Sequence, residues 1–386
     1  MTFISLILTA IGKRINLSDR IIIKESLNQD DFSGVINLIK RVCKYTFIFE
    51  LLGSLLLSLR FIPLYGVKTG LFYSIFHSVS AFCNAGFDIL GTNSLISYGT
   101  DKLVNIIIMG LIIVGGLGFT VWSDIFEILR QELKEKFRLN KFLKKLSLHT
   151  KIVLTMTIIL LISGTIIFYA LEHNNKYIMA NDSLGEKIIK SAFQSTTLRT
   201  AGFSTIDQTE LTSASKFISI CYMFIGGSPA STSGGIKTTT LAVLILFTIS
   251  FIQGKNGTNI FGKSISFETL KRAMVIFTIS ILLVIFATTC LLISEISLQE
   301  ENLHANITKI TTFSFIDIFF EVVSAFGTVG LTLNVTSKLS IVGKIIISIM
   351  MIIGRLGPIT LSVALFKKNK EKTKEIVYPS GNILVG

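Results

Sequence analysis

Little in this chain is equipped for covalent chemistry. Its 386 residues include four cysteines and four histidines, all widely separated. Cys43, Cys83, Cys221 and Cys290 form no CxxC, so neither a thiol pair nor a zinc site is indicated. His77 falls in a short amphipathic stretch, where packing or hydrogen bonding is the expected role rather than metal ligation. The apolar segments hold no paired carboxylates, no His/Glu metal set and no nucleophile motif. That argues against a membrane-embedded enzyme and against a covalently bound cofactor. Gly234-Gly-Ile-Lys237-Thr238 comes near a phosphate-binding loop, but that loop needs glycine directly before the lysine, a preceding strand and a soluble fold. Charge is also scarce, at 16% of residues against about 25% in ordinary soluble domains.

Half of the residues are hydrophobic and the mean hydropathy is +0.67. Several apolar runs are longer than the roughly 18 residues that suggest a transmembrane helix. The expected class is an all-α polytopic membrane protein. The opening Met1-Thr-Phe-Ile-Ser-Leu is apolar but has neither the basic n-region nor the cleavage site of a secretory leader. The net charge of +13 is unevenly placed. Segments 13–44, 130–151, 255–272 and 367–374 hold 24 of the 37 Lys and Arg residues, and the remaining linkers hold few. By the positive-inside rule these basic loops and the C-terminus are expected in the cytoplasm of a plasma-membrane protein. Contact with anionic lipid explains the basicity. No nucleic-acid partner is expected, because no aromatic–basic platform accompanies the charge.

Three segments follow one plan: Ser80-Ala-Phe-Cys-Asn84-Ala85-Gly86-Phe87, Thr196-Thr-Leu-Arg-Thr200-Ala201-Gly202-Phe203 and Ser324-Ala-Phe-Gly-Thr328-Val329-Gly330-Leu331. Each follows an amphipathic stretch too short to span a bilayer. Each precedes a long apolar helix with its own glycine cluster: Gly115-Gly116-Leu-Gly118, Gly226-Gly227-Ser-Pro229 or Gly354-Arg355-Leu-Gly357-Pro358. Spans are expected near 45–62, 103–128, 151–171, 273–294 and 339–366. Half-helices are expected near 69–83, 185–199 and 313–327, and a broken apolar segment over 214–252. Glu50 and Arg60 should face protein or an interface rather than lipid. The implied organisation is residues 1–44 as the end of an earlier helix plus a cytoplasmic link, then helix–loop–helix units at 45–150, 151–272 and 273–386. Each unit returns the chain to the cytoplasm, in agreement with the charge distribution.

Re-entrant loops of this kind suit an ion path. Backbone carbonyls can replace the hydration shell of a large monovalent cation, and glycine relieves the strain of turning successive carbonyls to one axis. The half-helices would direct their carbonyl ends at that path. The competing account is that each glycine only permits close helix packing.

Two further features stand out. The run Gly226-Gly227-Ser228-Pro229-Ala230-Ser231-Thr232-Ser233-Gly234-Gly235 cannot continue a helix. It reads as a movable constriction below the loops or, alternatively, as a static kink. Arg355 lies in an otherwise apolar helix, where a central arginine costs about 2.5–3.5 kcal/mol on insertion scales. It is expected to face the interior as an electrostatic barrier to cations, or to pair with Glu321 or Asp317.

At these residues, and at the closing Tyr378-Pro-Ser-Gly, the chain resembles the Trk/Ktr/HKT superfamily of cation transporters, most nearly its bacterial KtrB/TrkH-type membrane subunits. The resemblance implies repeated helix–pore-loop–helix units around a central pseudo-fourfold pore, with three complete units here and the end of another, so that most of a first repeat is expected to be lacking. It implies filter positions at Asn84, Ala85 and Gly86, at Thr200, Ala201 and Gly202, and at Thr328, Val329 and Gly330, with potassium as the transported ligand. It further implies a gating loop at Gly226–Gly235, a barrier at Arg355, a homodimer, and cytosolic nucleotide-binding regulatory subunits of the KtrA/TrkA (RCK) type. A sodium-permeable member of the superfamily and a truncated, nonfunctional fragment remain as alternatives.

Overall fold

The computed structural model describes residues 35–91, 93–134, 139–255, 257–304 and 313–357. The expected N-terminal helix end, most of the first basic link, Pro358 and the basic tail with Tyr378 lie outside the described residues.

Long apolar sequence becomes long helix. α1 (Val35–Tyr65) is followed, after Gly66, by α2 (Val67–Phe82). Next come α3 (Lys102–Leu117), α4 (Phe119–Lys134) and α5 (Leu139–Lys145). α6 (Leu148–Glu172) and α7 (Leu184–Thr197) repeat the long–short pairing, followed by α8 (Ser213–Phe224) and α9 (Thr238–Ile252). A hairpin of β1 (Asn259–Ile260) and β2 (Lys263–Ser264) turns the chain into α10 (Phe267–His304), α11 (Phe315–Gly327) and α12 (Ile341–Leu356).

Among the described residues, three helical stretches are long and apolar enough to cross a membrane: Arg41–Tyr65, Leu148–Glu172 and Phe267–Glu295. About two thirds or more of each faces outward rather than into the protein, as lipid-facing helices do. The C-terminal ends of the short helices α2, α7 and α11 lie inside instead. Along α11, Phe320, Glu321, Val322, Val323, Ser324, Ala325, Phe326 and Gly327 are all buried. α7 begins with a capping box: the Ser183 N–H donates to Glu186 Oε2 at 2.8 Å, and the Glu186 N–H donates to Ser183 Oγ at 3.5 Å. Acidic first-turn residues Glu186 and Asp317 suit the N-terminal ends of α7 and α11, whose C-terminal carbonyls run toward the loops.

The expected single span over 103–128 is not one helix. α3 and α4 are bent by 94° at Gly118. Gly118 takes φ 94, a conformation that relieves it of helical geometry, and the Phe119 N–H donates to the Ala230 carbonyl at 2.9 Å instead of to the preceding turn. α12 stops in the same way, at Gly357 with φ 84. With the break after α8, the second helix of the first two units is interrupted; residues 358–366 of the expected third-unit span lie outside the described residues.

A second regularity was not read from the sequence. The long helix of each unit reaches the N-terminus of the helix after the loop through a charged residue. Glu172, at the end of α6, accepts from the Thr212 N–H at 3.1 Å and the Thr212 hydroxyl at 2.7 Å. Glu295 on α10 accepts from the Ser340 N–H at 3.3 Å and the Ser340 hydroxyl at 2.7 Å. In the first unit the polarity is reversed. Asp101 itself caps α3, accepting from the Leu103 and Val104 N–H groups, and Arg60 on α1 pairs with it at 2.5 Å. Arg60 therefore faces an interface, as expected. Glu50 turns to protein, accepting from Cys83 Sγ at 3.7 Å. Because Glu172 is buried and accepts from Asn175 and Thr212, Glu172→Ala strands these donors, and a loss of about 2–3 kcal/mol is expected. Thermal unfolding of the purified protein in detergent measures this; an unchanged midpoint would show that the clamp contributes nothing.

Candidate functional site

The three glycine loops share one backbone conformation. Positive φ occurs at Asn84 (49) and Gly86 (70), at Thr200 (69) and Gly202 (84), and at Thr328 (51) and Gly330 (89). In each loop the residue between, Ala85, Ala201 or Val329, does not share it. Left-handed backbone at alternate residues turns successive peptide groups the same way, a strained arrangement that persists only where the surroundings hold it. The holding contacts also repeat. The Ser80 hydroxyl donates to the Phe87 carbonyl at 2.7 Å, Thr197 to Phe203 at 2.5 Å, and Ser324 to Leu331 at 2.6 Å. Each ties the end of a short helix to the residue just past the loop glycine. Glu321 adds a further brace to the third loop, accepting from Leu333 N–H at 2.9 Å and from the Thr332 and Thr336 hydroxyls.

These loops converge. A Cβ added to Gly86 would lie 2.5 Å from the Ala201 carbonyl oxygen, and one added to Gly202 would fall on the Val329 carbonyl oxygen. Gly330 has only Gly202 Cα nearby, at 3.8 Å. Side-chain oxygens at the first positive-φ position of every loop, Asn84 Oδ1, Thr200 Oγ1 and Thr328 Oγ1, are buried without a protein partner. Buried polar atoms are almost always satisfied, so three equivalent exceptions mark a site that could hold a cation through neutral oxygens. Among the described residues no cluster of His, Cys, Asp and Glu could hold a metal ion. His77 is a packing residue. It is buried among Phe61, Tyr73, Phe76 and Phe203, with Nδ1 at 2.7 Å from the Tyr73 carbonyl.

Cluster glycines play a different part. A Cβ on Gly115 would collide with the Phe82 carbonyl, and one on Gly354 with the Phe326 carbonyl, so these two permit close helix packing. Gly118 and Gly357 of the same clusters instead take positive φ.

The 226–235 segment leaves the membrane helices through a closed neck. The Gly226 N–H donates to Ile236 O at 2.8 Å and the Ile236 N–H to Phe224 O at 3.2 Å, a single parallel bridge. From that neck the chain projects under the loops. The Ser228 N–H donates to Gly116 O at 3.0 Å, and the Thr232 hydroxyl to Phe82 O at 3.3 Å and Gly115 O at 3.2 Å. Asn84 Nδ2 donates to Ser233 Oγ at 3.0 Å, and Gly234 abuts the Thr328 hydroxyl and the Gly327 carbonyl. Pro229 lies against Gly118 at the α3–α4 bend. Inside the segment the Ser231 hydroxyl donates to Ser228 O at 2.6 Å, Lys237 Nζ donates to Ser233 O at 2.7 Å, and both Ala230 and Gly235 take positive φ.

Among the described residues Arg355 pairs with no carboxylate. Its guanidinium donates to the Thr232 carbonyl of the projecting segment. Glu321 is engaged by the third loop, and Asp317 pairs with Lys216 at 3.6 Å. The ion-pair alternative therefore falls: both carboxylates are taken, and a backbone carbonyl suits a guanidinium fork.

Sequence reasoning gave no role to Lys237 or to Arg199 of the second loop. Arg199 is 4% exposed, and the one hydrogen bond of its side chain among the described residues runs from Nη2 to Thr157 Oγ1 at 3.3 Å. The available signal for it was a lone cation in a glycine loop.

Comparison with known proteins gives a consistent picture. Residues 1–376 match the family model TrkH, described as cation transport protein. The Ktr system potassium uptake protein B of Bacillus subtilis (strain 168) is 37% identical over 386 residues, covering all of this chain and 80% of that protein. The potassium/sodium uptake protein NtpJ of Enterococcus hirae is 37% identical over 374 residues, covering 97% of this chain and 77% of that protein. Among solved structures, the crystal structure of the potassium transporter TrkH from Vibrio parahaemolyticus superposes with a TM-score of 0.66 at 17% identity, covering 90% of this chain and 68% of that one, a likeness of fold.

Proposed function

The chain belongs to the TrkH family of cation transport proteins, and from that premise we propose that it is the ion-translocating membrane subunit of a potassium uptake system, passing monovalent cations through a filter built by its three glycine loops. It is a multi-pass plasma-membrane transporter and not an enzyme. Potassium as cargo follows from its uptake-protein relatives.

One observation carries the filter: the alternating positive φ at 84 and 86, at 200 and 202, and at 328 and 330, with the glycines of the first two loops meeting carbonyls of their neighbours. A potassium ion sheds water where neutral oxygens replace its shell. The backbone carbonyls of Asn84, Ala85 and Gly86, of Thr200, Ala201 and Gly202, and of Thr328, Val329 and Gly330 would supply them, with the unpartnered Asn84, Thr200 and Thr328 oxygens at the lower end. Irregular backbone at membrane depth is tolerable where it lines such a cavity.

In this reading units 45–150, 151–272 and 273–386 surround the path, the Gly226–Gly235 segment is the gate beneath it, and Arg355 both repels cations and latches the gate through Thr232. The basic loops and tail face the cytoplasm, where regulatory nucleotide-binding subunits would act on a homodimer.

The test is potassium-limited growth and rubidium uptake in a bacterium lacking its own potassium transporters. Rescue is expected; its absence with the protein in the membrane and a regulatory partner co-expressed would overturn the reading. A sodium-permeable variant is the second reading, favoured by the relative named for potassium and sodium uptake. Retention of glycine at all three loops argues for potassium, and sodium competition in the same uptake assay decides between them.

A further inference from the structure

One buried charge in the loop region is unexplained by the transport path itself. The segments 80–87, 196–203 and 324–331 contain no carboxylate and a single cation, Arg199. Cys83 and Gly327 occupy the corresponding positions of the other two loops. Arg199 is almost fully buried, its Nε has no partner, and among the described residues the only hydrogen bond of its guanidinium goes to the neutral Thr157 hydroxyl on α6. No carboxylate pairs with it among the described residues. A guanidinium stays ionised in a protein. A buried charge without a counter-ion is expensive, and removing a partner from such a charge is strongly destabilising. Its retention next to Thr200, Ala201 and Gly202 calls for a use.

We propose that Arg199 is the specificity-determining residue that makes the filter reject divalent cations. The inference rests on the filter reading given above. Arg199 lies three residues before Gly202, so its Cα is within about 11 Å of that glycine. Its field reaches ions in the path through protein rather than water. The repulsion felt by an ion scales with the ion's charge. At about 10 Å and an effective dielectric near 20, one fixed positive charge lowers monovalent occupancy on the order of tenfold and divalent occupancy on the order of a hundredfold. The neutral oxygens of the filter attract both kinds of ion, and a divalent ion of potassium's size binds them more strongly. A fixed positive charge behind one loop opposes that preference without narrowing the path.

The probe is barium inhibition of potassium uptake by the full chain in proteoliposomes, at fixed ionic strength and with potassium held well below its apparent KM in every variant. In R199Q, which keeps donors but loses charge, barium potency is expected to rise about a hundredfold while apparent potassium affinity rises about tenfold. R199K, which keeps charge but loses the planar fork, should stay within about threefold of the wild type for both ions. T157V removes the one hydrogen bond and keeps the charge, and should also leave barium potency within about threefold. Equal shifts for barium and potassium in R199Q, or the same shift in R199Q and R199K, would mean that Arg199 merely braces the loop and would overturn the proposal. Should R199Q fail to reach the membrane, T157V decides: unchanged barium potency upholds the charge role, and a large shift removes it. A wild type that takes up no potassium sinks the transport reading as well, whereas a potassium-transporting wild type with an unaltered barium response in R199Q sinks this inference alone.

Discussion

Gly202→Ala is expected to reduce potassium uptake by at least about a hundredfold while the protein still reaches the membrane. Two effects combine at this position. Gly202 sits at φ 84, where an L-residue is strained by about 1–2 kcal/mol. The new methyl group would also fall on the Val329 carbonyl oxygen, so the third loop must move for alanine to fit. Displacing one of the proposed ligand carbonyls raises the barrier for every ion, and each 1.36 kcal/mol is a factor of ten in rate. Gly330→Ala provides the control. It has the same strain, at φ 89, but its nearest neighbour is Gly202 Cα at 3.8 Å. Its uptake should fall only about tenfold. Measured as rubidium uptake normalised to membrane protein, equal losses in the two variants would mean that strain alone matters and that the contact between loops does not. No loss in either would remove both glycines from the ion path.

That difference between Gly202 and Gly330 also marks the limit of what the sequence could reveal. The loops were legible because a glycine in matching surroundings recurs three times, and the short helices before them because amphipathic stretches of that length cannot span a bilayer. The bend at Gly118 was not legible. Glycine inside an apolar helical run costs only about 1 kcal/mol relative to alanine, so periodicity continues straight through it. What breaks the helix is the Ala230 carbonyl of the next unit taking the Phe119 N–H. The partner of Arg355 was hidden for a similar reason. A search by sequence looks for carboxylates such as Glu321 and Asp317, whereas the acceptor is the main-chain carbonyl of Thr232, which any residue could provide. The Asn84–Ser233 bond likewise joins residues 149 positions apart. Local chemistry fixes where the chain must turn, and tertiary contacts decide what each turn meets.

Those same contacts make the projecting segment the place where the second large effect is expected. Excising residues 229–233 should raise potassium flux by about tenfold or more and make it independent of any regulatory subunit. The neck survives the excision, because the Gly226–Ile236 and Ile236–Phe224 hydrogen bonds and the Thr238 N–H to Gly227 O bond at 3.0 Å lie outside the deleted stretch. The anchors made by residues 229–233 are lost with it: Thr232 to Phe82 and Gly115, Ser233 to Asn84, Ala230 to Phe119, and the Arg355 latch, while the Ser228 N–H bond to Gly116 O remains. Arg355→Ala removes the latch and its charge but leaves the other anchors. A hydrogen bond from a charged group contributes about 1.5–3 kcal/mol, enough to shift a closed–open equilibrium by about tenfold or more. Its flux should therefore lie between the wild type and the excised protein, with a weaker dependence on regulation than the wild type. Proteoliposome flux assays with protein checked by gel filtration separate the outcomes. Flux unchanged by the excision would make the segment a static kink; flux abolished in a well-folded protein would make it a support for the loops above. Only a rise in both variants, larger for the excision, is what a latched and movable constriction requires, because a barrier held by several independent bonds yields in proportion to the bonds removed.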